Sequence, residues 1–421
     1  MAATGARLRP GTADDAVGGI VPAQVASPDS VEQAAALLAA AHALGLRTVF
    51  RGAGTKLAWG SPPQACDLLL ETVAMDRVLD HAAGDLVVQV QAGVPMARLS
   101  GTLGGADQEL AVESPVPGGT VGGMLGSGVA GPRRMLHGTA RDLLIGVTMV
   151  LADGTVARSG GRVVKNVAGY DLGKLLTGSY GTLGLIAEAT FRLHPKPAAT
   201  AYVTATARDP GHAAELLQAV FGSQTAPSAI ELDLPPGGEP ELAVLLEGTP
   251  RGVQRRAGDV GKLLGTDAQD IEAPLWWNRL PGGDTLLELR SWPKTLGRVL
   301  TAVSELAASA EVKAVLRGSA GVGHFRIGVS GEPAAQAHFV GELRSALGAL
   351  DGGVTVTDAP DAVRGLVDVW GPVPGLELMR RVKDRFDPGW LLAPGRFFGR
   401  QGDGLGQQGD GSGRESVGGD G

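Results

Sequence analysis

Two glycine-rich stretches in this sequence carry residue types suited to holding a phosphate. Residues 113–131 read E-S-P-V-P-G-G-T-V-G-G-M-L-G-S-G-V-A-G, with seven glycines and two prolines. Glycine reaches positive φ without a Cβ penalty and lets a ligand approach the main chain, so such a run is a poor core and a good anion cradle. Pro115 and Pro117 fix its entry, and Thr120 and Ser127 add hydroxyl donors, which favours a defined phosphate loop over a linker. A plain glycine-rich surface loop is the competing reading, and it would put a long structureless segment inside a domain. The second stretch, Arg51-Gly52-Ala53-Gly54-Thr55-Lys56-Leu57, follows a short apolar strand at 46–50. Gly52 and Gly54 begin a dinucleotide fingerprint and Glu71 lies downstream at a suitable distance. Leu57 replaces the third glycine, however, and Gly60, Pro62 and Pro63 block the helix that a nicotinamide-dinucleotide turn must open.

The elements that position these loops follow from periodicity and punctuation. Residues 27–46 read as a helix, with Ser30 and Gln33 as its capping pair and Gly45 as its terminator. Strands are expected at 67–71, 86–91 and 143–151, the last ending in the Ala152-Asp153-Gly154 turn. A helix is expected from about Val94 to Leu103, a helix-like turn at 174–176 and a strand running to Leu193. Pro195-Lys196-Pro197 closes this unit, which takes in residues 20–197 behind an N-terminal arm at 1–19. Residues 201–357 then read strand, helix, two strands, helix, and again strand, helix, two strands, helix, strand. That order implies a ferredoxin-like α+β cap within 198–385, followed by a short return at 386–398. Residues 399–421, with ten glycines in 23, read as a disordered tail.

Composition narrows the function. At 421 residues the chain is long enough for two or three domains, and a net charge of −7 leaves no footprint for nucleic acid. The Arg133–Arg134 pair and the Arg380, Arg381, Lys383, Arg385 group read as solvated faces. The one cysteine, Cys66, excludes an internal disulfide and any multi-cysteine iron–sulfur or zinc site. No apolar run is long enough to span a membrane and the N-terminus lacks a signal-peptide core, so a cytoplasmic protein without a metal site is expected.

The motifs R-G-A-G-T-K-L, V-Q-A-G-V, P-G-G-T-V-G-G-M-L-G-S-G, R-D-L-L-I-G-V, K-N-V-A-G-Y-D-L-G-K-L and G-S-Y-G-T-L-G-L-I occur in that order. Together they resemble the FAD-binding domain of the vanillyl-alcohol oxidase and p-cresol methylhydroxylase superfamily, and within it the FAD-binding subunit of bacterial glycolate oxidase. The resemblance implies a two-subdomain α+β fold with a cap. FAD would lie with its pyrophosphate between Arg51, Gly52, Ala53, Gly54, Thr55, Lys56 and Leu57 on one side and Pro117, Gly118, Gly119, Thr120, Gly122 and Gly123 on the other. Ser127 and Gly128 would extend the second loop, Gly181, Gly184 and Ile186 would meet the adenine side, and Arg396 would belong to the C-terminal return. Relatives that attach FAD covalently often use a histidine in the first loop; Thr55 stands there, so binding is expected to be non-covalent.

The resemblance also implies a small 2-hydroxy acid as substrate, glycolate or D-lactate. It further implies a catalytic flavoprotein subunit and an iron–sulfur subunit as partners, with peripheral attachment to the inner face of the plasma membrane through them. Such oxidation needs a cation for the carboxylate and a base for the hydroxyl proton. Arg290 in L-L-E-L-R-S-W-P is the candidate cation and His324 the candidate base; an ordinary strand-end arginine and a packed lone histidine are the competing readings. His137, just past the main loop, reads as structural. A free-standing 2-hydroxy acid dehydrogenase and a flavin-free scaffold subunit remain as alternatives. Because the tail cannot bury enough apolar surface to order itself, deleting residues 402–421 is expected to leave melting temperature and flavin content unchanged; a clear fall in either would show that the tail docks.

Overall fold

The computed structural model describes residues 4–161, 171–267, 269–270 and 272–399. The tail expected beyond 399 and residues 165–170 of the K-N-V-A-G-Y motif lie outside these. The flavin-type domain contains two sheets. In the first, the strands Gln24–Ser27, Leu68–Glu71 and Thr48–Arg51 run parallel, with Arg7–Pro10 antiparallel at the edge. In the second, Val78–Ala82, Val87–Gln91, Leu185–Arg192, Leu144–Val150 and Val156–Gly160 form an antiparallel sheet in that order. Val150, Leu185 and Ala187 of the second sheet pack with Leu37, Leu38, Leu68 and Leu70 of the first, so one apolar layer joins the two. The helix Val31–Ala43 covers the first sheet with Val31, Ala34, Leu37, Leu38 and Ala41, a helical spacing, and Ser30 Oγ accepts from Gln33 N–H as the capping pair predicts.

The main glycine run departs from a pure loop. Val121–Ser127 is a helix, N-capped by Thr120 Oγ1 and closed by Gly128 in the left-handed region. Three glycines inside it cost roughly 3 kcal/mol relative to alanine. Burial of Val121, Met124 and Leu125, at about 1.5–3 kcal/mol each, outweighs that cost. Gly122 is needed for packing, since a Cβ there would lie 2.8 Å from that of Ala92.

The cap is one eight-stranded antiparallel sheet. Its order is Gln269–Asp270, Ala199–Thr206, Glu241–Gly248, Ala229–Leu234, Lys313–Ser319, His324–Ser330, Thr285–Arg290, Gly353–Asp358. Each half is a complete ferredoxin-like unit, and the two join edge to edge between Ala229–Leu234 and Lys313–Ser319. The helices Pro210–Phe221, Pro250–Leu264, Leu296–Ser309 and Pro333–Gly348 cover one face, over Ile230, Leu232, Leu287, Leu289, Phe325 and Ile327. The alternate residues therefore point to the other face, toward the flavin-type domain.

The C-terminal return begins earlier than residue 386. Val382 and Phe386 of the helix Leu376–Phe386 pack against the flavin-domain core. In each of the two charge groups read as solvated one residue is buried, Lys383 in one and Arg133 in the other, while Arg381 and Arg385 are exposed as expected. Lys383 is 3% exposed and Asp387 fully buried. Lys383 Nζ donates to Asp387 Oδ2 at 2.5 Å, Thr182 O at 2.6 Å and Leu392 O at 2.9 Å, so all three of its donors are used. Arg133 donates to both carboxylate oxygens of Glu109 and reaches Glu247 of the cap at 3.2 Å. Interrupting apolar and acidic residues marked these runs as surface; Glu109 and Glu247 lie 24 and 114 residues from Arg133, and although Asp387 is only four residues from Lys383, the Thr182 carbonyl that completes its burial is 201 away. Lys383→Met should destabilise the fold by about 3–5 kcal/mol in denaturant titration, because it strands the buried Asp387 carboxylate. A loss below about 1 kcal/mol would contradict this.

Candidate flavin and substrate site

The two glycine stretches meet. A Cβ on Gly52 would fall 2.3 Å from Thr120 Oγ1, so only glycine lets the loops touch. Gly54 has a φ of 79°, a backbone state that side-chain-bearing residues rarely adopt. A Cβ on Gly119 would lie 3.2 Å from Lys56 Nζ and 3.7 Å from Thr55 Oγ1, so the space beside Gly119 is bounded by an ammonium and a hydroxyl. Phosphate oxygens suit that space, and burial pulls the Lys56 ammonium down. The loops open into a cleft with about 840 Å³ of empty space, lined by residues 49–57, Thr72, Ala92, Thr120, Gly122, Gly123, Gly126, Ser127, residues 179–181 and 184–186, and Arg396. A cleft with glycine backbone on two sides suits the pyrophosphate of an extended dinucleotide.

Several expected cofactor residues act from behind the loops. The Arg51 guanidinium donates to Glu71 Oε1 at 3.1 Å and to Asp15 Oδ1 at 2.7 Å, so its backbone, not its charge, faces the cleft. Arg9 and Arg51 hold Asp15 well below the usual carboxylate range. Glu71, which a ribose contact would need, is taken up by Arg51 and by Ser27 at 2.9 Å. Arg396 is buried and donates to Leu57 O at 2.8 Å and Trp59 O at 2.7 Å. Arg364 donates to Ala58 O at 2.8 Å and also to Gly60 O. Ser127 Oγ donates to Gly123 O at 2.7 Å, and Gly128 serves as the helix terminator. Gly181, with a φ of 74°, and Gly184 let the chain pass against Phe50 and Met149. Pro117 and Gly118 lie on the approach to the cleft, where a Cβ on Gly118 would stand 3.7 Å from Thr55.

A second, smaller cavity lies where the cap face meets Pro115, Gly131, Pro132 and Arg134. Antiparallel pairing arranges the cap residues in two rows. One row runs Glu231, Ser319, His324, Arg290; the other runs Asp233, Arg317, Arg326, Glu288. Arg317 is satisfied by Asp233 at 2.6 Å. His324 Nε2 lies 3.4 Å from Glu288 Oε1. Burial pulls the imidazole down to about 4 although Glu288 works against it, so it is neutral at pH 7. Burial opposes ionisation of Glu288, but His324, Arg326 and Arg290 together hold it well below the carboxylate range.

The candidate cation lies at the edge of this arrangement. Arg290 ends its row at the rim, with its side chain 67% exposed and 3.8 Å from Glu288, and it does not line the cavity. Arg326 does line it: it is 8% exposed, and its Nε is buried without a hydrogen-bond partner. Its guanidinium lies 6.0 Å from the Trp59 ring centroid, and Trp59 packs in one cluster with Tyr180, which lines the flavin cleft. Arg326 and Glu288 were legible in H-F-R-I and L-L-E-L-R, where alternation puts them on the face of His324. Tyr180, at a left-handed φ of 53°, had no such signal. His137 pairs at 3.9 Å with Glu247 and edge-on with His194, outside both cavities. Among the described residues no cluster of His, Cys, Asp or Glu is arranged to hold a metal ion, and no helix is long and apolar enough to cross a membrane.

Two sheets, a glycine-lined cleft and a ferredoxin-like cap define the p-cresol methylhydroxylase-type FAD-binding fold. Residues 22–160 match the family model described as the FAD binding domain. The solved structure of alkyldihydroxyacetonephosphate synthase superposes with a TM-score of 0.68 at 16% identity, covering 89% of this chain and 76% of that one, which shows the shared fold. An uncharacterized FAD-linked oxidoreductase of Mycobacterium tuberculosis is 28% identical over 90% of this chain and 91% of its own length. Glycolate oxidase subunit GlcD of Bacillus subtilis is 33% identical over 51% of the chain and 46% of that subunit, and subunit GlcE of Escherichia coli 36% identical over 36% and 43%. The chain is an FAD-dependent oxidoreductase distantly homologous to both subunits.

FAD would be held by backbone of residues 52–56 and by Gly119, Thr120 and Gly123, with Lys56 and Thr55 at the phosphates. Gly54→Val, by backbone strain, and Gly119→Val, by filling the phosphate space, are expected to yield folded but colourless protein. Retention of the full flavin absorbance in either would refute the placement.

Proposed function

We propose that this chain oxidises the C–OH group of a small 2-hydroxy acid, glycolate or D-lactate, as the FAD-binding subunit of a glycolate oxidase-type complex. The observation that carries the reading is His324 Nε2 standing 3.4 Å from Glu288 Oε1, two residues along its strand from the unpartnered Arg326, on the face that meets the flavin cleft. Arg326 and Arg134 offer cations for the carboxylate. With Nε2–H directed at Glu288, the other ring nitrogen of His324 keeps its lone pair and accepts the substrate hydroxyl proton. Bound FAD supplies the two-electron acceptor for the C2 hydrogen. Tyr180, in the cleft lining, packs in one apolar cluster with Trp59, whose ring centroid lies 6.0 Å from the Arg326 guanidinium, so apolar side chains flank the passage from cleft to cavity and exclude water there.

A single cysteine leaves electron transfer onward to a partner, which supports an iron–sulfur subunit beside this chain, at the cytoplasmic side of the membrane. The second reading, a free-standing dehydrogenase, is favoured by the presence of cation and base in one chain.

Anaerobic mixing of the isolated holoprotein with glycolate or D-lactate tests the proposal: the flavin band should bleach. His324→Gln should slow bleaching by about 10²–10⁴-fold with flavin content unchanged. Because the base must be unprotonated, the wild-type rate should be flat around neutrality and fall as pH drops toward 4. Absence of bleaching by either acid, or a variant as fast as wild type, would overturn it.

A further inference from the structure

One group in the second cavity has no part in the mechanism above. Glu231 is 5% exposed and its Oε1 is buried without a partner, although it stands among potential donors. Ser319 Oγ, Arg326 Nε and Asn278 Oδ1 line the same cavity and are likewise buried and unpartnered. A native interior rarely leaves such atoms orphaned, and four of them around one cavity mark a place where a polar ligand completes the bonding. Three of the four are fixed on neighbouring strands: Glu231 is cross-strand from Ser319, Ser319 from His324, and Arg326 lies two residues along from His324.

Charge bookkeeping selects the ligand. Arg317 is cancelled by Asp233, and Glu288 is offset by Arg290 at the rim. Among the described residues no carboxylate pairs with Arg134 or Arg326, and Arg279 also lines the cavity, so its positive surplus is greatest while Glu231 is un-ionised and falls by one charge when Glu231 ionises. Burial pushes the Glu231 carboxyl up to about 8, against the pull of the Ser319 hydroxyl and of Arg134 and Arg326, with Glu113 adding to the push. A carboxylic acid in this state both donates and accepts, whereas a carboxylate would repel an incoming anion.

We propose that Glu231 is a substrate-contacting residue that acts as the neutral carboxylic acid, hydrogen-bonding a small carboxylate ligand seated on Arg326 and Ser319. The proposal deepens the 2-hydroxy acid reading of this cavity and rests on it. Its consequence is proton-gated affinity: anion binding is at full strength below about pH 8 and weakens above it as Glu231 ionises.

The test uses the flavin-loaded full chain and oxalate, a carboxylate that carries no oxidisable C–H, with calorimetry from pH 6 to 9.5. For wild type, Kd should stay level to about pH 8 and then rise by about tenfold per pH unit. Glu231→Gln, which keeps the shape and a donor, should bind at pH 7 and stay level throughout. Should Glu231→Gln fail to fold, the wild-type profile still decides, together with Ser319→Ala, which should weaken binding without moving the break near pH 8. A level wild-type profile, or parallel loss in wild type and Glu231→Gln, overturns the role of Glu231 while leaving substrate-driven bleaching intact. No oxalate binding at any pH together with no bleaching by glycolate or D-lactate overturns the reading of the cavity itself, and with it this inference.

Discussion

Buried cations that grip backbone carbonyls hold this structure's cofactor loops in place. Glycine loops leave main-chain acceptors without the regular partners of a helix or sheet, and a buried C=O left unpaired costs about 1–3 kcal/mol. Arg396, Arg364 and Lys383, all from the last part of the chain, cap the carbonyls of Leu57, Ala58, Trp59, Gly60 and Thr182. Each bond is charge-assisted and stronger than a neutral one. The return of the C-terminus to the flavin-type domain is thus what shapes both sides of the cleft, and Thr48, paired through its backbone with residues 391–393, ties that return into the first sheet.

The cap depends on a different constraint, the period-two alternation of antiparallel strands. Leu287 and Leu289, or Phe325 and Ile327, bury under the helices, and that obliges Glu288 and Arg326 to face the flavin-type domain. A polar face enclosed between two domains is costly unless its charges are paired. Asp233–Arg317 is paired within the protein, while among the described residues no carboxylate pairs with Arg326 or Arg134, so the stability given up there is available to a bound anion. The same electrostatics keep His324 neutral and Glu288 ionised, a division of roles set by environment and not by residue type.

Much of this was legible in the sequence because it is local. Gly52, Gly54 and Gly119 read as an anion cradle from spacing alone, and the strand–helix order of the cap announced its ferredoxin-like units. What escaped was long-range. The helix at Val121–Ser127 hides in a glycine-rich run because its stability comes from burying Val121, Met124 and Leu125 against a distant sheet. Lys383 and Arg133 looked solvated because Thr182 and Glu247, two of the groups that accept from them, are far away in sequence, and Asp387, four residues from Lys383, reads as an ordinary surface pair until the fold buries it. Arg290 was singled out for its place at a strand end, whereas the register puts the end of the strand at the rim and the mid-strand Arg326 in the cavity.

The most direct measurement of the account is a crystal structure of the flavin-loaded protein soaked with oxalate. The account predicts FAD along residues 52–56 and Gly119, with no bond to Thr55, and oxalate on Arg326 with His324 in hydrogen-bond reach. Oxalate bound elsewhere, or a flavin ring walled off from the Arg326 cavity, would contradict it.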